Sequence, residues 1–201
     1  MENLTTEQSL RIINEALDKN RRAIVRNSSK PLIMWGILLV IFSLLIWLLW
    51  SGTGNPAWNY LWFAMSVIGF FAQFTLLKDK ERVPESEVSR TLGKIWMWYG
   101  IIGTAFYASI WLCVPIASHF GISGISVNLT LVVIILLGLA GAISGATLKL
   151  PSMEILAAVS AIICGMVAIL VDGPAQILTI GVLGLCALLI PGIIIQTKNG
   201  K

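Results

Sequence analysis

The sequence predicts an all-α membrane protein, a bundle of six transmembrane helices preceded by an amphipathic helix in the cytoplasm. Three observations lead to this fold class. Of the 201 residues, 57% are hydrophobic and only 12% are charged, whereas a soluble domain carries about 25% charged residues. The apolar residues form six runs that are each long enough to cross a bilayer, and the basic residues all fall on one side of the resulting topology. Most of the molecular surface must therefore face the lipid bilayer.

The first 30 residues predict a separate cytoplasmic helix, because their apolar residues recur with helical spacing. Leu10, Ile13, Leu17 and Ile24 fall on one face at intervals of three, four and seven residues. The favoured interpretation is a helix that lies on the membrane or docks on the bundle, with its arginines near anionic lipid headgroups. The alternative is a short coiled-coil contact that forms a homodimer.

Six segments meet the requirement of about 20 mostly apolar residues for a spanning helix. They are Pro31 to Trp50, Trp58 to Leu77, Ile95 to Ser118, Val127 to Leu148, Met153 to Val171, and Ala175 to Gln196. The predicted transmembrane domain is therefore 31–196, and 197–201 form a short cytoplasmic tail. Turn-forming residues such as the Asp172-Gly-Pro174 run separate neighbouring spans.

The distribution of basic residues predicts the orientation, because cytoplasmic loops are enriched in Lys and Arg. All fourteen basic residues lie in the N-terminal segment, the second loop, the fourth loop or the C-terminal tail. The three remaining loops contain none. Both termini are therefore predicted to be cytoplasmic. The net charge of +4 is assigned to the membrane surface and not to nucleic acid, because it borders apolar runs.

The last three spans carry stripes of small residues, which allow helices to approach closely in lipid. The stripes consist of Gly138, Gly141 and Gly145 on the fourth span, and Ala157, Ala161 and Gly165 on the fifth. The connection 149–152 is short, so these two helices are expected to be antiparallel neighbours with the stripes in contact. Packing within one chain is the favoured interpretation, and homodimerisation is the alternative.

Polar residues on the second and third spans form the one candidate polar pocket in the sequence. They are Ser66, Gln73, Tyr99, Thr104 and Tyr107. Buried polar groups in lipid must find partners, so these side chains are expected either to line a pocket or to join helices through hydrogen bonds. The second role is the more common one.

No catalytic or metal-binding motif is found, and no cofactor is predicted. The three cysteines, Cys113, Cys164 and Cys186, lie in different apolar runs without neighbouring histidines, which is typical of small packing residues. His119 is the only histidine. The spans contain no Asp, Lys or Arg, so an ordinary proton relay lacks its parts. An enzyme is therefore not expected.

The order of segments resembles a family of small six-span bacterial membrane proteins of unknown activity. The matching pieces are Glu7 to Ile13 in the leading helix, Gly138 to Lys149 with its terminal lysine, and Leu188 to Gly192 near the end. The resemblance implies the bacterial cytoplasmic (inner) membrane and a regulatory or stress-related context. It supplies no activity and no functional residues.

Two functions are compatible with these features. The first is a non-enzymatic module that senses or scaffolds, and that binds a cytoplasmic protein partner through its basic face. The second is a small transporter or channel for a neutral or apolar solute, with the polar residues of the second and third spans along its path. A cavity of roughly 300 Å³ or more at membrane depth would favour the second function.

Overall fold

The computed structural model describes residues 6–78, 87–121 and 128–199, and every regular element in these ranges is helical. The helices are α1 (Thr6–Thr53), α2 (Leu61–Lys78), α3 (Glu87–His119), α4 (Leu129–Leu148), α5 (Pro151–Leu170), α6 (Ile177–Gly184) and α7 (Ile190–Asn199). A π-helical segment, Leu185–Leu189, joins α6 to α7 without a break. Short 3-10 turns, Pro56–Tyr60 and Gly173–Gln176, precede α2 and α6.

Five helical segments of the described chain are long and apolar enough to cross a membrane. They are Glu7–Thr53, Glu87–His119, Leu129–Leu148, Pro151–Leu170 and Gly173–Lys198. Large apolar side chains such as Phe71, Leu112 and Leu170 lie exposed on the outside of the helices, as expected for surfaces that contact lipid. The chain is a multi-pass membrane protein. The second predicted span coincides with α2, which is not among the five, so a total of six spans stays a prediction.

Helix α1 is continuous through the predicted boundary between residues 30 and 31. Pro31 lies inside this helix. Because proline has no backbone N–H, it cannot donate the helical hydrogen bond to the Asn27 carbonyl. Ile24 and Leu32, on the two sides of the proline, are both buried against the bundle. Because both flanking segments pack against the bundle, the helix stays continuous across Pro31. The structure therefore does not separate the N-terminal helix from the first span, and its predicted amphipathic role stays a prediction.

The centre of the bundle is the antiparallel contact of α1 with α6, the π-helical segment and α7. A Cβ built on Gly184 would lie 2.7 Å from the Leu39 Cβ, and one built on Gly181 would lie 2.9 Å from the Ser43 Cβ. The helices therefore approach too closely here for any side chain larger than hydrogen. Ile46 and Leu183 are completely buried in this core. Small residues make this approach possible in an environment where hydrophobic burial provides little drive.

The π-helical segment ends two residues before Pro191, which cannot donate a backbone hydrogen bond. The Ile190 N–H donates to the Leu185 carbonyl, five residues earlier. Such a widened turn accommodates one extra residue and shifts the side chains that follow it. The backbone of Gly36 on α1 packs against this turn, where a Cβ would lie 2.7 Å from the Leu189 nitrogen. The segment thereby sets which side chains of α7 face α1.

Helices α4 and α5 form an antiparallel pair joined by a tight connection. Asn128 caps α4, because its Oδ1 accepts a hydrogen bond from the Leu131 N–H at 3.0 Å. At the other end, Lys149 adopts a left-handed conformation with φ of 54°, and Pro151 opens α5. The observed helices start and end within about two residues of the predicted spans here, although Val127 lies outside the described residues.

Candidate functional site

The small residues of α4 lie against α5, and the structure defines their pairing. A Cβ on Gly138 would collide with the Ala161 Cβ, and one on Gly141 would lie 2.9 Å from the Ala157 Cβ. Gly145 packs instead against the backbone of Glu154, one turn before the alanine stripe. Gly165 has more room, because its nearest neighbour is the Leu131 Cδ1 at 3.4 Å. The stripes therefore pack within one chain, with the closest approach at Gly138 and a close approach to backbone atoms at Gly145.

The structure gives individual partners for several residues of the predicted polar pocket. Ser66 donates to the carbonyl of Trp62 in its own helix at 3.0 Å. The ring of Tyr99 contacts Trp96 edge-on with a centroid distance of 5.7 Å. Thr104 is exposed. The contacts described for Ser66 and Tyr99 are with different neighbours, and a shared pocket stays a prediction.

Tyr107 and Gln73 also have separate partners. The ring of Tyr107 contacts Phe63 of α2 edge-on, with the centroids 5.6 Å apart. The Oε1 of Gln73 accepts a hydrogen bond from the indole Nε1–H of Trp35 at 2.8 Å. Gly69, one turn before Gln73, leaves room for the Trp35 ring, which a Cβ there would strike. Gln73 therefore joins α2 to α1, whereas the sequence suggested partners on α3.

A cleft at one end of the bundle brings together basic residues from distant parts of the chain. Its volume is about 200 Å³, and it lies between α1, the α4–α5 connection and α7. Four cationic residues line it: Arg21, Arg22, Lys149 and Lys198. We call it the basic cleft. These residues are predicted to lie on the same side of the membrane, but no pattern in the sequence indicates that they meet.

The inner walls of the basic cleft are apolar. They are formed by Val25, Leu148, Leu150, Met153, Pro191, Ile194 and Ile195, and Ser152 adds a hydroxyl group. Leu148 and Met153 are almost completely buried. No carboxylate belongs to the described residues that line the cleft. Its chemistry is therefore suited to an anion with an apolar portion.

A second, larger cavity is an open groove along the side of α1, and we call it the lateral groove. Its volume is about 490 Å³. It is lined by Lys30, Ile33, Met34, Ile37, Leu38, Ala72, Thr75 and Gln196. None of the five predicted pocket residues borders either the basic cleft or the lateral groove. The groove opens sideways and is not enclosed by the helices.

Among the described residues, no three His, Cys, Asp or Glu side chains lie close enough together to hold a metal ion. Cys113 is exposed, Cys164 is buried and Cys186 is half-buried, and all three are free thiols. Comparisons with protein-family models, curated proteins and solved structures found no match. The resemblance to a bacterial family stays an expectation.

Proposed function

We propose that the protein is a six-span bundle of the bacterial cytoplasmic membrane with both termini in the cytoplasm. Helix α2 supplies the sixth span, because no charged residue occurs from 58 to 77. Its 18 residues rise about 27 Å, close to the hydrocarbon thickness of about 30 Å. The one-sided distribution of all fourteen basic residues supports the orientation.

Reporter fusions test this orientation. A reporter that is active only in the cytoplasm should be active when fused within 79–86 or at the C-terminus, and inactive when fused after Gly54 or Gly173. An active extracytoplasmic reporter at either terminus would refute the proposed orientation.

Within this topology, we propose a non-enzymatic module that senses or scaffolds by binding a soluble protein partner. The supporting observation is the N-terminal extension of α1. Arg21 and Arg22 lie beside Lys198 in the last turns of α7, so residues before Asn20 extend past that helix. Residues 7–19 are almost all exposed, and 13 residues extend about 20 Å. A helix this exposed makes no contribution to the bundle core and is available to a partner.

The extension carries an apolar face that nothing in the described structure covers. Leu10, Ile13 and Leu17 are 56%, 54% and 62% exposed, respectively, and their spacing places them on one side of the helix. An amphipathic helix of this kind typically lays its apolar face into a groove of another protein, with anchors three and four residues apart. The basic and acidic residues around the face, such as the Arg11–Glu15 ion pair, keep the rest of the extension soluble.

Two neighbouring isoleucines allow a matched test of this proposal. Ile12 and Ile13 are 53% and 54% exposed, but only Ile13 lies on the apolar face. A photo-crosslinking residue at position 17 should capture a specific soluble protein in native membranes. Capture should be lost in Ile13→Ser and kept in Ile12→Ser, because only Ile13 lies on the apolar face. Both variants leave the bundle core untouched, so a difference between them does not come from unfolding. Crosslinks only to a second copy of the chain, or only to lipid, would refute the partner and favour a homodimer or a membrane-bound helix.

Transport of a neutral or apolar solute is the alternative, and the volume of the lateral groove favours it. The groove exceeds the roughly 300 Å³ that a small ligand needs, although it opens sideways. Ala72, on its wall, allows the groove to be filled by substitution. The test is uptake of a neutral solute into proteoliposomes. If the parent takes up the solute and Ala72→Phe does not, transport replaces the module proposal.

A further inference from the structure

The basic cleft concentrates positive charge without a counter-charge. In the described residues, no ion pair or side-chain hydrogen bond involves Arg21, Arg22, Lys149 or Lys198. Basic residues elsewhere do form such pairs, as Arg90 does with Glu87 at 3.1 Å. Like charges that converge repel one another, so a bound anion would stabilise this arrangement. Among the described residues that line the cleft, none carries a negative charge to balance these cations.

The N-terminus of α5 also borders the basic cleft, and the carboxylate in its first turn, Glu154, is not among the residues that line the cleft. No side chain caps this helix, because Leu150 occupies the N-cap position. The N-terminus of a helix carries a partial positive charge. In α5 the Ser152 N–H is the remaining first-turn donor, because Pro151 has no N–H and the Met153 and Glu154 N–H groups donate to the Leu150 carbonyl. Ser152, in that first turn, lines the cleft beside Lys149. A helix N-terminus and four cations from three chain segments therefore face the same space.

Lys149 reaches the cleft from an unusual backbone conformation. Its φ of 54° is left-handed, at the end of α4 where glycine is the residue most often found. A lysine is strained there and a glycine would not be. This position therefore allows the charge to be removed by a substitution that also relieves strain.

The depth of the cleft favours an anion with an apolar tail. Its basic rim belongs to the segments before the first span, between the fourth and fifth spans, and after the last one. Below the rim, Val25, Met153 and Ile195 form apolar walls that are buried in the bundle. Basic pockets between membrane helices on the cytoplasmic side bind the headgroups of anionic lipids.

We propose that the basic cleft is a binding site for a phosphate group, carried by an anionic phospholipid of the inner leaflet or free in solution. Arg21, Arg22 and Lys198 donate to the phosphate oxygens, and the first turn of α5 with Lys149 closes the other side. The inference rests on the membrane orientation proposed above. It does not depend on the soluble partner, because the cleft and the apolar face of the extension share no residue.

Thermal unfolding of the full-length protein in a neutral detergent tests the site. The three probes are phosphatidylglycerol, phosphatidylcholine and inorganic phosphate, each at constant ionic strength. Phosphatidylglycerol should raise the midpoint of the parent, and phosphatidylcholine should not, because a ligand that binds only the folded state stabilises it. If inorganic phosphate raises the unfolding midpoint, and substitutions in the cleft reduce this effect, the site binds free phosphate.

Charge-matched variants separate a defined site from diffuse attraction. Arg21→Gln with Lys198→Gln removes two charges from the cleft, and Lys19→Gln with Lys94→Gln removes two exposed charges outside it. The first variant should weaken phosphatidylglycerol binding by at least about tenfold, as expected for the loss of a charged hydrogen bond. The second should bind like the parent. Equal shifts in both variants would overturn the proposal, as would the absence of a shift with either phosphate probe.

Lys149→Gly keeps the test decisive if the double variant does not fold. Glycine suits the left-handed conformation, so this variant should unfold at or above the midpoint of the parent without lipid. Its shift with phosphatidylglycerol should nevertheless be smaller than that of the parent. A parent-like shift in Lys149→Gly would remove this lysine from the site and contradict the proposed geometry. Failure of the orientation fusions would instead refute the placement on which the site rests.

Discussion

Replacing Gly145 with alanine should destabilise the bundle, although alanine is the better helix former. The new Cβ would strike the backbone nitrogen of Glu154 and lie 2.8 Å from its Cα. Backbone atoms cannot rotate away as the end of a side chain can. Helices α4 and α5 must therefore separate by about 1 Å to restore an ordinary van der Waals distance.

The magnitude follows from the contacts that this separation weakens. One dispersion contact at its optimal distance is worth about 0.1–0.2 kcal/mol. A gap of 0.5–1 Å removes about a quarter to a half of that energy. Over the roughly 60 contacts of one large buried side chain, the loss is about 3 kcal/mol. The higher helix propensity of alanine offsets about 1 kcal/mol. The variant should therefore lose about 2 kcal/mol of unfolding free energy.

Gly165→Ala is the matched control, because it makes the same change on the same pair of helices. Its Cβ would lie 3.4 Å from the Leu131 Cδ1 and 3.9 Å from the Ile134 Cγ2, which are ordinary contacts. This variant should gain up to about 1 kcal/mol from helix propensity. Titration of both variants with a denaturing detergent in mixed micelles measures the two changes.

Opposite signs for Gly145→Ala and Gly165→Ala are the expected result. Parent-like stability of Gly145→Ala would refute the close approach of α4 to α5. If the stability is unchanged and an association between chains is lost, the glycine lies at an interface between two copies, and the protein is a homodimer.

Two further predictions concern the contacts of α1. Gln73→Leu should cost about 1–2 kcal/mol, because the Trp35 indole N–H loses its acceptor inside the apolar region; a double-mutant cycle with Trp35→Phe should show coupling, and additive effects would contradict the hydrogen bond. Gly36→Ala should cost about 2 kcal/mol through its collision with the Leu189 backbone, whereas Gly103→Ala, with nothing within 4 Å, should be neutral or stabilising in the same detergent titration.

Much of the architecture could be predicted because the signals are local. Apolar runs mark α1, α3, α4 and α5 as membrane helices, since the cost of placing charged groups in lipid acts on each residue separately. The short connection at Lys149 makes α4 and α5 neighbours. The continuity of α1 across Pro31 was not predicted, because proline ends many helices and only the burial of Ile24 and Leu32 on both sides shows why it does not do so here.

The candidate sites were less predictable, because they depend on residues far apart in the chain. Gln73 and Trp35 are 38 positions apart, and the sequence offers several other polar partners for Gln73 at equal cost. The basic cleft joins Arg21 to Lys198 across almost the entire chain. Positive charge on one side of a membrane can be read from composition, but its convergence on one cleft depends on the antiparallel packing of α1 with α7.

The amino-acid sequence by itself determined that this protein is helical, that it lies in a membrane, and which ends of its helices carry charge. Only the tertiary structure decided which helices touch, where the π-helical segment lies between α6 and α7, and which polar side chains meet. The physical reason is that lipid is as apolar as leucine, so hydrophobicity places a helix in the bilayer without selecting its neighbour. That selection comes from the close approach that Gly36, Gly145 and Gly184 permit, and dispersion contacts of this kind depend on three-dimensional shape.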